Sequence, residues 1–286
     1  MGLRRWWAVG ALVLGMCGGP ADPGYAERIL QQREAQDVRT RDGETTPFTP
    51  VDVRMIPVGE QVVVAACGEE PSFDPEGDCD PRVTLRYTAE GFRIEDAEGE
   101  RAAEDVVPLG RFRLGLSRQE DRGRILVHDP QAPDQRAFAG YAWFPPDPAY
   151  RFVVEVQPYP EATPTRMATT AGLFKTFLRY GRVRFPVEGQ ERSLSVYLYE
   201  RADPSDPDAF FIPFRDATAG RETYPVGRYA GLEVDDEGRW ILDFNMAGSP
   251  NCAYNPHWNC PVPPQENVLD VAIPAGEKNY EGSGGH

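Results

Sequence analysis

The stretch GRVRFPVEGQERSLSVYLYE, residues 181–200, decides the fold. Val183, Phe185 and Val187 alternate with polar neighbours, and Leu194, Val196 and Leu198 do the same beyond the turn Glu188-Gly189-Gln190-Glu191. Successive side chains of a strand point to opposite faces, so this alternation gives two antiparallel strands with one buried and one wetted face. The pattern recurs upstream. Residues 83–87 and 92–95 flank the turn Ala89-Glu90-Gly91. RFRLGL (111–116) places Phe112, Leu114 and Leu116 on one face and is partnered by RILVH (124–128). No long helical period follows residue 40. The predicted fold is mainly β, an antiparallel β-sandwich or partly closed β-barrel, with one N-terminal surface helix. That helix is YAERILQQREAQDV (25–38), opened by Asp22-Pro23, with Ile29 and Leu30 on one face and charge elsewhere.

Downstream of the hairpin lie FFIPFRDATAGRETYPVGRYAGLE (210–233) and GRWILDFNMAGSPNCAYNPHWNCPVPPQENVLDVAIPAGEK (238–278). Their apolar runs, 210–214, 240–244 and 268–273, predict strands, and the polar groups fall where those strands end. The connection between the second and third runs exceeds 20 residues and has no regular period. Connections of that length in a compact domain are functional or disordered, and Tyr254, Trp258 and two cysteines favour the former. The candidate ligand-binding residues are therefore Arg215, Asp216, Thr218, Tyr224, Arg228, Tyr229, Asp243, Asn245, Tyr254 and Asn267. Arg215 and Arg228 flank a Gly-containing turn beside two tyrosines, which suits a planar fork on a carboxylate or phosphate. The structural alternative pairs each arginine with Asp216 or Asp243, with Asp216 and Thr218 capping nearby backbone amides. Glu277 and Asn267 are placed to pin the long loop to the sheet. If the two loops converge, Arg215, Asp216, Tyr224, Arg228, Asp243 and Asn245 line one cleft.

The chain begins MGLRR, then runs apolar to Met16 and reaches Cys17 before a Gly-Gly-Pro segment. The run is too short to span a bilayer, and a short apolar stretch ending at a cysteine is the form of a lipoprotein signal. Cys17 is then the acylated residue, although Met16 stands where a small residue is usual. This places the protein in the cell envelope, lipid-anchored to a membrane on the periplasmic or extracellular side. The remaining four cysteines fall into close pairs, and in an exported chain Cys67–Cys79 and Cys252–Cys260 read as disulfides. Cys252, His257 and Cys260 also have zinc-ligand chemistry, a weaker reading that needs a fourth group such as Asp243. The acidic loop 67–79 lacks the spacing of a calcium hand. The divisions are 1–17, signal; 18–45, linker and short helix; 46–140, a first β lobe; 141–278, a second β lobe with the polar site; and 279–286, a tail.

With 45 acidic against 30 basic residues the net charge is −15, which opposes phosphate neutralisation and excludes nucleic acid as a partner. Phosphate-loop, H-E-x-x-H, nucleophile-elbow and dinucleotide-binding motifs are all missing. With His286 at the end of the chain, a histidine-based triad has only His128 and His257 to draw on. No cofactor is expected, and no pattern names a protein partner. The leading function is a non-enzymatic β protein that binds a small polar or anionic ligand. The alternative is a hydrolase or lyase using Asp216 or Asp243 as base with Arg228 as electrostatic stabiliser.

The blocks FAGYAWFPPDPAY, YGRVRFPVEGQ, FFIPFRDATAGRETYPVGRY, LDFN and CAYNPHWNCPVPPQEN…AGEK, in this order between about residues 109 and 278, resemble the bacterial and archaeal family known as domain of unknown function 1684. Residues 246–250 depart from the family's usual wording after Asp-Phe-Asn. The resemblance implies a shared β fold and a shared polar patch, and brings no activity with it.

Overall fold

The computed structural model describes residues 23–96, 99–199 and 202–280. The signal, Cys17 and most of the tail therefore lie outside the described residues. Helix α1 (Tyr25–Asp42) is followed by nine strands: β1 (Pro50–Pro57), β2 (Gln61–Cys67), β3 (Glu70–Phe73), β4 (Arg82–Thr88), β5 (Gly91–Asp96), β6 (Gly99–Ala102), β7 (Val106–Leu109), β8 (Phe112–Gln119) and β9 (Arg122–His128). Eight more follow: β10 (Arg151–Val154), β11 (Gln157–Ala168), β12 (Phe174–Val187), β13 (Gln190–Tyr199), β14 (Phe210–Phe214), β15 (Arg228–Ala230), β16 (Glu233–Val234) and β17 (Trp240–Asp243). No helix among the described residues is long and apolar enough to cross a membrane.

The strands form four sheets, ordered β1-β9-β8-β7, β3-β2-β4-β5-β6, β10-β17-β16 and β11-β12-β13-β14-β15. Pairings between these strands are antiparallel, and the architecture is that of packed open sheets, a sandwich, with no closed barrel among the described residues. The first two sheets enclose one apolar cluster drawn from residues 56–127, including Val64, Leu85, Phe112, Leu114, Ile125 and Val127. The last two enclose another, built on Val183, Phe185, Leu194, Val196, Ile212, Phe214, Leu242 and Phe244. The alternation of the 181–200 hairpin thus fills the second core as its period requires. Its register pairs Val183 with Leu194 and Val187 with Gln190. Between the two cores Phe48, just before β1, packs within 5.0–6.1 Å of the rings of Phe138, Tyr141, Tyr254 and Tyr280.

Two expectations change. The 268–273 run is not a strand. The Leu269 amide donates to Arg215 O and the Ala217 amide to Val271 O, but the Ile273 amide goes to the Asp216 carboxylate, so a side chain interrupts the ladder. Second, Ile29 and Leu30 do not share a face, because residues one apart lie about 100° apart round a helix. Ile29 is buried and Leu30 is 55% exposed. The docked face is instead Tyr25, Ile29, Arg33 and Thr40, which recur at helical spacing.

Candidate functional site

Arg228 opens β15 opposite Phe214, and the backbone before it carries the geometry. Gly227 has φ of 125°, and a Cβ there would lie 2.5 Å from Phe214 O. Only glycine allows that approach, and it sends the Arg228 side chain inward. The guanidinium is completely buried. Its Nη1 donates to Ala275 O and, at 3.3 Å, to Glu277 O. Its Nη2 donates to Ile273 O at 2.8 Å and to Asp216 Oδ1 at 3.3 Å. Asp216 in turn accepts from the Ile273 amide at 2.7 Å and from Thr218 Oγ1 at 2.9 Å, and Thr218 is linked to Thr223 at 2.8 Å. This network fastens residues 273–277 to the turn after β14, and among the described residues only Arg228 Nε of the guanidinium is left without a hydrogen-bond partner.

Beside it, Glu277 is buried with the Tyr254 hydroxyl donating to Oε1 and the Ser249 amide to Oε2 at 3.0 Å. Burial pushes its carboxyl up to about 7, against the pull of these bonds and of the Arg228 charge. Gly276 makes the approach possible, since a Cβ there would meet the carbonyls of Phe244 and Ala247 at 2.6 Å.

Asp243 and Asn245 belong to a second cluster, at the end of β17. Asp243 receives the Tyr25 hydroxyl at 2.7 and 2.9 Å, the Asn245 amide at 2.9 Å and a 3.9 Å ion pair from Arg151. The Asn245 side chain exchanges two bonds of 2.8 Å with the backbone of Asp147. From α1, Arg33 donates to Phe144 O at 2.8 Å and Asn245 O at 2.7 Å, with its guanidinium 4.6 Å over the Trp143 ring. An open groove of about 400 Å³ runs here between Leu30, Arg33, Glu34 and Asp37 of α1 and residues 143–146. Arg33 Nε and Trp143 Nε1 are buried and have no hydrogen-bond partner among the described residues. Asp37 accepts from the Tyr141 amide at 3.1 Å, and burial raises its carboxyl.

The other predicted residues go elsewhere. Asn267 is fully buried and bridges Ser195 N and O to Pro213 O, pinning the loop to the sheet. Arg215 is exposed and donates to Pro225 O at 3.0 Å. Tyr229 donates to Pro261 O at 2.6 Å, and Tyr224 to Cys252 O at 3.3 Å. The six residues expected in one cleft are therefore shared among separate clusters. Cys67 and Cys79 are bonded, with Cα atoms 4.8 Å apart. Cys252 and Cys260, expected as a bridge, are instead buried free thiols, with the Cys252 amide donating to Cys260 Sγ at 3.2 Å. Among the described residues no three metal-binding side chains converge, so His257 does not join the thiols in a site. His128 is held by Thr49 at 2.7 Å, and burial pulls its imidazole down to about 4.

Sequence reasoning missed Tyr25, Arg33 and Trp143. The i, i+4, i+8 recurrence of Tyr25, Ile29 and Arg33 was the available signal, because it gives one helix face two polar anchors around an apolar centre.

The sequence profile of a family described as protein of unknown function (DUF1684) matches residues 136–278, half of this 286-residue chain. An uncharacterised protein of Haloarcula marismortui, known from a solution NMR structure, is 35% identical. The match covers 52% of this chain and 82% of that one, with a TM-score of 0.42. No curated protein matches the chain.

Proposed function

The chain belongs to the DUF1684 family, and from that premise we propose that it is an exported protein, lipid-anchored through Cys17, that binds a small polar ligand in the groove between α1 and residues 143–146. The anchor rests on the sequence at 1–17: a basic start, an apolar run too short to span a membrane and a cysteine at its end. The ligand site rests on one observation, the two buried N–H groups beside that groove that lack partners, Arg33 Nε and Trp143 Nε1. A buried donor left unpaired costs about 1–3 kcal/mol, a deficit that an acceptor oxygen on a ligand removes after a small shift of the guanidinium over the indole. The groove volume falls at the lower end of small-molecule sites, roughly 300–1,000 Å³.

Charge narrows the ligand. Arg33 favours a carboxylate or carbonyl oxygen, whereas Glu34 and Asp37 at the rim disfavour a multiply charged anion. A monoanion, a zwitterion or a neutral carbonyl compound fits best. Asp243 and Asn245 act here as the support that positions Arg33 rather than as ligand contacts. The hydrolase or lyase alternative lacks a free base, because Asp216 and Asp243 both spend their oxygens on internal donors.

The test is a thermal-shift panel of amino acids, small monocarboxylates and inorganic phosphate on the full chain and on Trp143→Phe, which keeps the ring but removes the N–H. A ligand at a hundredfold its dissociation constant adds about 2.7 kcal/mol of stability. That gain should shrink in the variant while the unliganded melting temperature holds. Equal stabilisation of both proteins places the ligand elsewhere.

A further inference from the structure

Residues 251–262 form a strap across the two lobes. Asn255 Nδ2 donates to Pro50 O at 2.8 Å, and Trp258 Nε1 donates to Pro47 O at 3.0 Å. Arg124 on β9 donates to His257 O at 2.9 Å and lies 5.3 Å over the Trp258 ring. Both free cysteines sit on this strap, 8% and 6% exposed. The Cys252 amide donates to Cys260 Sγ at 3.2 Å, the two thiols hydrogen-bond one another, and the Cys260 amide donates to Thr170 Oγ1 at 3.1 Å. Tyr224 Oη lies 3.8 Å from Cys252 Sγ as a donor.

The charges around the pair are unusual for so acidic a protein. Lys175 and Arg124 both act electrostatically on Cys260, and Lys175 on Cys252 as well. Among the described residues neither cation is paired with a carboxylate, although 45 residues of the chain are acidic. Two desolvated cations without carboxylate partners, set beside two thiols, are an arrangement that stabilises a thiolate. The cations act chiefly on Cys260, but Tyr224 Oη donates to Cys252 Sγ, and this bond with the one from Cys260 pulls Cys252 down to about 7, while the same contact with Cys252, together with burial, pushes Cys260 up, so the thiolate falls on Cys252.

We propose that Cys252 and Cys260 are a redox-active dithiol whose co-reactant is a low-molecular-weight disulfide, with Cys252 the attacking thiolate and Cys260 the resolving thiol. Cys252 Sγ attacks one sulfur of the disulfide, the S–S bond of the reagent breaks, and the leaving thiolate takes up a proton. Cys260, losing its proton, then attacks Cys252 Sγ in the mixed disulfide and expels the second reagent thiol. The two protein thiols are oxidised to one disulfide and the reagent disulfide is reduced to two thiols, so electrons and protons balance. A small reagent suits sulfurs this deeply set, and the strap places the new bond at the joint between the lobes.

The experiment equilibrates the full chain in buffers of reduced and oxidised glutathione, quenches it with acid and maps each cysteine by differential alkylation and mass spectrometry. Cys252 and Cys260 should interconvert reversibly as a two-electron couple while Cys67–Cys79 stays closed. At pH 7, Cys260→Ser should accumulate a mixed disulfide at Cys252, Cys252→Ser should react at least tenfold more slowly, and Lys175→Met should slow the wild-type reaction several-fold. A pair that stays oxidised at every ratio is a structural bridge and overturns the proposal, as does a pair that stays reduced. Equal rates for the two serine variants also overturn it. The wild-type titration decides even where a variant fails to fold.

Discussion

Replacing Arg228 with methionine keeps an unbranched apolar stem and removes the guanidinium and its charge. The structure sets the cost. The guanidinium and the Asp216 carboxyl are 0% and 2% exposed, so the loss leaves a buried carboxylate without its cation. It also takes the guanidinium donor from the carbonyls of Ala275 and Glu277, and one of two donors from Ile273 O, which keeps the Ala275 amide at 2.8 Å. Removing one partner of a buried pair costs about 3–5 kcal/mol. For a chain of this size each kcal/mol moves the midpoint by roughly 2–4 °C, so a fall on the order of 10 °C is expected. Urea unfolding followed by tryptophan fluorescence measures it. The double variant with Asp216→Asn supplies the coupling, and should recover part of the loss because no charge is then left unpaired. A single-variant cost under about 1 kcal/mol, or two losses that simply add, would falsify the view that this network is structural.

Glu277 and His128 give opposite pH limbs. The Glu277 carboxyl lies near 7 when folded and near 4.5 when unfolded, so the folded state binds more protons between these values. Its contribution is fully present below the unfolded value and is lost as pH rises towards 7, on the order of 3 kcal/mol, and Glu277→Gln should flatten that limb in urea titrations. His128, near 4 when folded and 6.5 when unfolded, loses its contribution as pH falls through that window, and His128→Gln should flatten the acid limb instead. Tyr25→Phe removes the hydroxyl from Asp243 and should cost about 2 kcal/mol, with α1 amides exchanging faster by hydrogen–deuterium mass spectrometry. Unchanged exchange in α1 would show that the helix is held by its apolar face alone. Cys17→Ser should move the protein from the membrane to the soluble envelope fraction; a wild type that is already soluble refutes the anchor.

The β architecture was legible because period-2 alternation survives in the strands that face a core on one side, as at Val183, Phe185 and Val187. It failed at 268–273, where Leu269, Val271 and Ile273 alternate correctly but Asp216 takes the amide that a neighbouring strand would have used. A side chain 57 residues away is invisible to local pattern. The sequence named the polar residues of these segments, yet their division between separate clusters was not readable. Asp216 and Asp243 each end a strand and differ only in what arrives from elsewhere: Arg228 at one, Tyr25 of α1 at the other. The groove was missed for the same reason, since its two walls are more than 100 residues apart in the chain, as the Arg33–Phe144 bond shows.

Both ends of the described chain are sewn to one short segment. Arg33 of α1 bonds Phe144 O, while the Phe144 amide donates to Gly276 O and the Lys278 amide to Ala142 O. Synthesis proceeds from the N-terminus, so α1 emerges long before its seat exists: its Tyr25 anchor waits for a partner 218 residues later. The apolar cluster drawn from residues 56–127 has all its members in the chain well before that partner is made. The polar seat of the helix is complete only once Asn245 has been made, so the first element in the chain is among the last whose contacts can all form.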